Sequence, residues 1–89
     1  MKIKKLRARA VIPQYATAGS AACDLTACIE ESEVVMPHCT IKIPTGVAIA
    51  PERNDVVGLL YSRSGMGVKH GIALANSVGG IDSDYRGEI

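Results

Sequence analysis

The sequence has no tryptophan, no phenylalanine and only three tyrosines. A core built without large aromatics depends on Ala, Val, Ile and Leu, which supply most of the 47% apolar content. At 89 residues there is room for one domain at most. So small a domain buries only roughly 60% of the surface its unfolded chain exposes. Disulfides, a metal or oligomerisation usually support a core this thin. Cysteine does not: Cys23, Cys28 and Cys39 are odd in number and form no C-x-x-C pair. Neither a disulfide framework nor a zinc site is expected from them. They read as free thiols in a reducing cytosol, which leaves oligomerisation.

No charge of one sign dominates either. Ten basic and nine acidic residues give a formal charge of +1. There is no electrostatic bias towards nucleic acid or an anionic membrane. Lys2, Lys4, Lys5, Arg7 and Arg9 crowd the start, with Ile3, Leu6, Ala8 and Val11 between them. That interleaving predicts the solvated face of a strand rather than a binding arm. No apolar h-region follows, since Arg7, Arg9, Pro13 and Gln14 interrupt it, so a signal peptide is not expected. No run approaches the length of a membrane span. The reading is a soluble, cytoplasmic protein.

The periodicity that is present belongs to strands. Ile41, Ile43, Thr45, Val47 and Ile49 fall on alternate positions, interrupted by Pro44 and Gly46. Val34–Met36, Val56–Tyr61 and Ile72–Leu74 are further short apolar runs. Gly, Pro and Asn-Asp punctuators recur between them. Closely spaced short strands without a helical stripe predict an all-β sandwich or barrel. A single helical turn fits only near Ser64–Val68.

Three segments are unusual for plain scaffold. Gly19 to Ala27 surrounds Asp24 with small side chains. Asp24 either satisfies backbone N–H groups in a tight turn or faces a ligand that the small neighbours admit. Arg63 to Gly71 places a hydroxyl and two cations among glycines, whose bare N–H groups can converge on an anion. The alternative is a glycine-rich surface loop; no P-loop spacing is present, and His70 reads as a structural or surface histidine rather than a ligand. Asn76 to Ile89 contains Gly79-Gly80, which predicts a hairpin turn. On a regular second arm Asp82 and Asp84 would share a face with Tyr85 opposite. Paired carboxylates suit a general base; a polar hairpin tip with a solvated Asp pair is the plainer alternative.

In this order the segments closely resemble the first three motifs of the trimeric dUTPase family. Ala21-Ala22-Cys23-Asp24-Leu25 resembles the first. Ser62 to Gly67, with Lys69-His70-Gly71, resembles the second. Asn76 to Gly87 resembles the third and is the most specific: Asn76, then Asp82 six residues on, then Tyr85 three further. The resemblance implies an all-β, jelly-roll-like barrel, incomplete at the C-terminus, in one domain over residues 1–89. It implies Mg²⁺-dependent hydrolysis of dUTP to dUMP and pyrophosphate by a homotrimer with sites at subunit contacts.

The resemblance also implies residue roles. Asn76 and the backbone at Gly80 and Ile81 would read uracil. Tyr85 would pack on deoxyribose and exclude a 2′-hydroxyl. Asp82 would hold the 3′-hydroxyl and orient or deprotonate the attacking water, with the 82–85 arm bent. Arg63, Ser64 and Gly65 would hold phosphates, and Asp24 would reach Mg²⁺ through water. Ser62 stands where the family usually has proline. The family's fourth and fifth motifs lie beyond Ile89, so the 89 residues alone are expected to be a poor enzyme. An inactive truncated paralogue that only binds nucleotide or partner chains is the alternative. A dCTP deaminase shares the fold but fits less well with the Asn76, Asp82 and Tyr85 spacing.

Overall fold

The computed structural model describes residues 1–89. Four short strands and one helix follow in the order β1 (Lys2–Lys5), β2 (Val47–Ala50), β3 (Gly58–Tyr61), α1 (Ser64–His70) and β4 (Val78–Ile81). The strands form two antiparallel pairs, β1 with β2 and β3 with β4. The all-β expectation therefore holds, with α1 as the one helix. No helix is long and apolar enough to cross a membrane.

The chain divides into two compact units. The first comprises Met1–Ala50 together with Arg86–Ile89, the second Pro51–Tyr85. In the first, Ile3 pairs with Ile49 and Lys5 with Val47. Ile3 is half-buried while Lys2, Lys4 and Lys5 stay exposed, so the basic start is the strand face that alternation predicts. Val47 is fully buried, with Ala10 and Ala48 beside it in the buried apolar set. The core is as thin as the missing aromatics imply.

Gly46 shapes this unit. Its φ is +72°, and a Cβ there would lie 2.7 Å from that of Ala10. Only glycine meets both demands without strain. Its carbonyl accepts the Leu6 N–H at 2.7 Å, and the Pro44 carbonyl accepts the Cys28 N–H at 2.7 Å. The strand predicted from Ile41 therefore begins only at Val47. Pro44 lacks a donor and Gly46 turns the backbone, and these two breaks outweigh the alternation.

Two further expectations fail. Val34–Met36 forms no strand; it is exposed and leads into a turn in which the Cys39 N–H bonds the Met36 carbonyl, with His38 at φ 63°. Ile72–Leu74 likewise joins no ladder. Apolar runs of three residues mark strands only where a partner strand is present.

In the second unit Gly58 pairs with Ile81, Leu59 with Gly80, Leu60 with Gly79 and Tyr61 with Val78. Gly79-Gly80 thus lies inside a strand and is not a hairpin turn. The connection between β3 and β4 is the long excursion through α1. Small residues at these positions suit close strand approach: a Cβ on Gly58 would come within 3.0 Å of the Ile81 Cβ, and one on Gly79 within 3.3 Å of the Leu60 Cβ.

Candidate functional site

Strand β4 organises the third segment, with Asn76 before it and Asp82 after it. Asn76 lies in a tight reversal. The Ser77 N–H donates to the Leu74 carbonyl at 3.2 Å, and the Val78 N–H donates to the Asn76 carbonyl at 2.8 Å. The second bond closes a three-residue ring around Ser77, whose φ is +67°. A γ-turn of this hand is rare and strained for a residue with a side chain. The Asn76 carboxamide lies over the strand start: its Nδ2 is 3.8 Å from where a Gly79 Cβ would be. A Cβ on Gly80 would meet nothing within 4 Å, so its face is open.

Past Ile81 the strand stops. The Tyr85 N–H donates to the Asp82 carbonyl at 3.1 Å, so residues 82–85 form a turn. Asp82 and Asp84 do not share the face of a regular strand; the bend implied by the resemblance is the observed geometry. Asp82 and Tyr85 are exposed. The Ser83 hydroxyl donates to the Asn54 carbonyl at 3.3 Å.

The second segment is more regular than its glycines suggest. Arg63 is the extended residue before α1, with φ −76° and ψ 132°. Ser64 and Gly65 form the first helical turn, and the helix runs to His70, two residues beyond the single turn expected. Gly65 and Gly67 are helical; only Gly71, at φ 65°, uses glycine's freedom, ending the helix in a left-handed cap. The expectation of a bare anion-cradling loop is therefore corrected to a short helix with Arg63 and Ser64 at its head. Lys69 and His70 occupy the last turn, where positive charge complements the helix dipole. His70 is exposed, which favours the surface reading over the structural one. Ser62 accepts the Leu74 N–H on its hydroxyl at 2.9 Å. Neither the Ser62 contact nor the Ser77 turn was legible in the sequence, because serine in a polar stretch carries no partner signal.

Asp24 belongs to the first unit, in an irregular exposed stretch. The turn ahead of it is closed by other residues. The Thr17 N–H donates to the Ser20 hydroxyl at 3.0 Å, and the Ser20 N–H donates to the Thr17 carbonyl at 3.2 Å. No group of three or more His, Cys, Asp or Glu side chains converges to cage an ion. A Mg²⁺ that keeps most of its waters and rides on substrate phosphates needs no cage, only a carboxylate or two. An exposed Asp24 fits that mode.

A bidentate ion pair in the first unit involves none of these residues. Arg7 donates to Glu88 through Nε at 3.0 Å and Nη2 at 3.1 Å, and the Gly46 N–H reaches the same carboxylate at 2.6 Å. The Ile89 N–H donates to the Val47 carbonyl at 3.1 Å, and the Thr45 hydroxyl donates to the Ile89 carbonyl at 2.5 Å. The Arg7 hydrogen bonds, then the Gly46 N–H, hold the Glu88 carboxyl below its ordinary value. Nothing local in the sequence marks Arg7 as more than a solvated charge, because its partner is 81 residues away.

Two short antiparallel strand pairs joined by long connections, with distinctive polar side chains on the turns at the ends of β4, define an all-β class of protein. The sequence model of the dUTPase family matches residues 8–89. The chain belongs to the dUTPase family. It is 49% identical over all 89 residues to the deoxyuridine 5′-triphosphate nucleotidohydrolase of Neisseria meningitidis serogroup A, 59% of whose length is covered. It is 48% identical over 89 residues to that of Bordetella pertussis, and 47% to that of Polynucleobacter asymbioticus, covering 60% of each. The chain spans about 60% of the length of these curated relatives.

Proposed function

We propose that this protein hydrolyses dUTP to dUMP and pyrophosphate, with residues 1–89 forming one domain that carries the family's first three motifs. The observation that carries the reading is the pair of turns bracketing β4: Asn76 enters the strand in one, and Asp82 and Tyr85 leave it in the other. One four-residue strand thereby spaces base recognition from sugar and water recognition.

In this reading Asn76 and the Gly80 and Ile81 backbone bond the uracil edge, which a cytosine amino group would mismatch. Tyr85 stacks on the deoxyribose and leaves no space for a 2′-hydroxyl. Asp82 accepts the 3′-hydroxyl and orients or deprotonates the water that attacks the α-phosphorus. Arg63 offers a planar fork to phosphate oxygens, with the Ser64 hydroxyl and Gly65 N–H beside it. Asp24 accepts hydrogen bonds from waters around the substrate's Mg²⁺. The metal, when bound, offsets the charge that develops on the leaving pyrophosphate.

The protein acts in the cytoplasm as a homotrimer, with motifs one and two of one chain meeting motif three of another. Val34 (73%) in the first unit and Val57 (60%) and Val68 (87%) in the second are exposed apolar side chains of the kind that partner chains would cover. Nucleic acid and membrane are not partners. The test is pyrophosphate release with Mg²⁺ from dUTP, dCTP, dTTP and UTP. dUTP should be preferred by about a thousandfold, because a hydrogen-bonding site rejects analogues that leave its groups unpaired. Comparable turnover of UTP would refute the Tyr85 assignment, and comparable turnover of dCTP the Asn76 assignment.

A further inference from the structure

The turn that presents Asn76 contains an unfavourable backbone. Ser77 has φ +67° in a γ-turn, a conformation that persists only where surrounding structure over-determines it. The β3–β4 ladder does not provide this restraint, because its last pair is Tyr61 with Val78 and the turn lies beyond it. The next link outward is the hydrogen bond from the Leu74 N–H to the Ser62 hydroxyl, 2.9 Å long. Leu74 is thereby held at both main-chain groups, since its carbonyl also accepts the Ser77 N–H at 3.2 Å.

We propose that Ser62 is a positioning residue for base recognition, its hydroxyl fixing the strained turn from which Asn76 reaches the nucleotide. The inference rests on the function proposed above. Ser62 directly precedes Arg63, so the same bond ties the head of the phosphate-binding segment to the base-reading turn. A proline at this position offers no hydroxyl, so the restraint is specific to a chain with serine or threonine there.

The test uses Ser62→Ala, Ser62→Thr and Ser62→Ala combined with Ser77→Gly, with dUMP and dCMP affinities measured by calorimetry and amide exchange followed at Leu74. Removing the hydroxyl should accelerate Leu74 exchange. It should also weaken dUMP by about three- to tenfold, the range of one hydrogen bond, and narrow the preference for dUMP over dCMP. Threonine should restore both. Glycine at position 77 adopts positive φ without strain and should recover part of the loss. A merely structural role would weaken both nucleotides alike, and that outcome overturns the inference, as does a Ser62→Ala protein with unchanged affinities. If the unmodified protein binds dUMP no better than dCMP, the proposed function falls and takes this inference with it. If the unmodified protein selects dUMP and the alanine variant matches it, only the inference falls.

Discussion

At the scale of single residues, Asp82 and Asp84 hold different places in one turn. Asp82 heads a turn closed by the Tyr85 N–H, and Asp84 lies inside that turn. Asp82→Asn keeps the shape and removes the charge. We predict a fall of about a hundredfold or more in kcat with nucleotide affinity retained, checked by comparing steady-state rates with dUMP binding. A near-normal rate would shift the role to Asp84. Gly80 gives a complementary test. A methyl there meets nothing in the chain within 4 Å, so Gly80→Ala should leave the unfolding midpoint nearly unchanged. If uracil lies on that backbone, dUMP binding should still weaken about tenfold or more, since a Cβ would enter the ligand's space. Asn76, Asp82 and Tyr85 stand out in the sequence through the spacing they share with the family's third motif. The contacts that set their backbone were not legible, because hydroxyls such as Ser62 and Ser83 bond to main-chain groups at distances no local pattern encodes.

At the scale of elements, the errors share a cause. Gly79-Gly80 resembles a turn by composition, yet pairing with Leu60 and Leu59 makes it a strand interior, and at Gly79 the Leu60 side chain leaves little room for a larger residue. Pairing decides strand identity, and pairing is not local. The strand predicted from Ile41 yields to Gly46 for the same kind of reason: the backbone there closes on Ala10 and Arg7 from distant sequence. Gly46→Ala should therefore cost about 2–4 kcal/mol, combining left-handed backbone strain with overpacking. Denaturant unfolding measures it. A loss under about 0.5 kcal/mol, the usual effect of an ordinary surface change, would mean that the Ala10 contact relaxes freely.

At the scale of the whole molecule, composition was an accurate guide. Without Trp or Phe, the buried apolar set is Ala10, Val47 and Ala48, with only Val47 fully enclosed among the larger side chains. Hydrogen-bonded ties then matter more than in a domain with a deep core. The Glu88 carboxyl lies below its ordinary value of 4.5, chiefly through Arg7. A carboxylate favoured in the folded state adds stability that is complete above its unfolded value and lost as pH falls through its folded one. Acidification below about pH 4.5 should thus lower the unfolding midpoint, and Glu88→Gln should flatten that dependence. Thermal unfolding across pH decides it; an unaltered acid limb in the variant would assign the effect elsewhere.

The tie between Arg7 and Glu88 also sets an order of events. In sequence, the unit of residues 51–85 is continuous and is inserted between the two stretches, 1–50 and 86–89, of the other. The inner unit closes through separations within its own 35 residues, whereas the outer one awaits a partner 81 residues away. Distant closures carry more chain entropy and form later. During synthesis, which runs from the N-terminus, Arg7 emerges long before Glu88 exists. Until then Gly46 lacks its carboxylate partner and Val47 its Ile89 hydrogen bond. The nascent β1–β2 pair thus stands without these ties until residues 88 and 89 emerge.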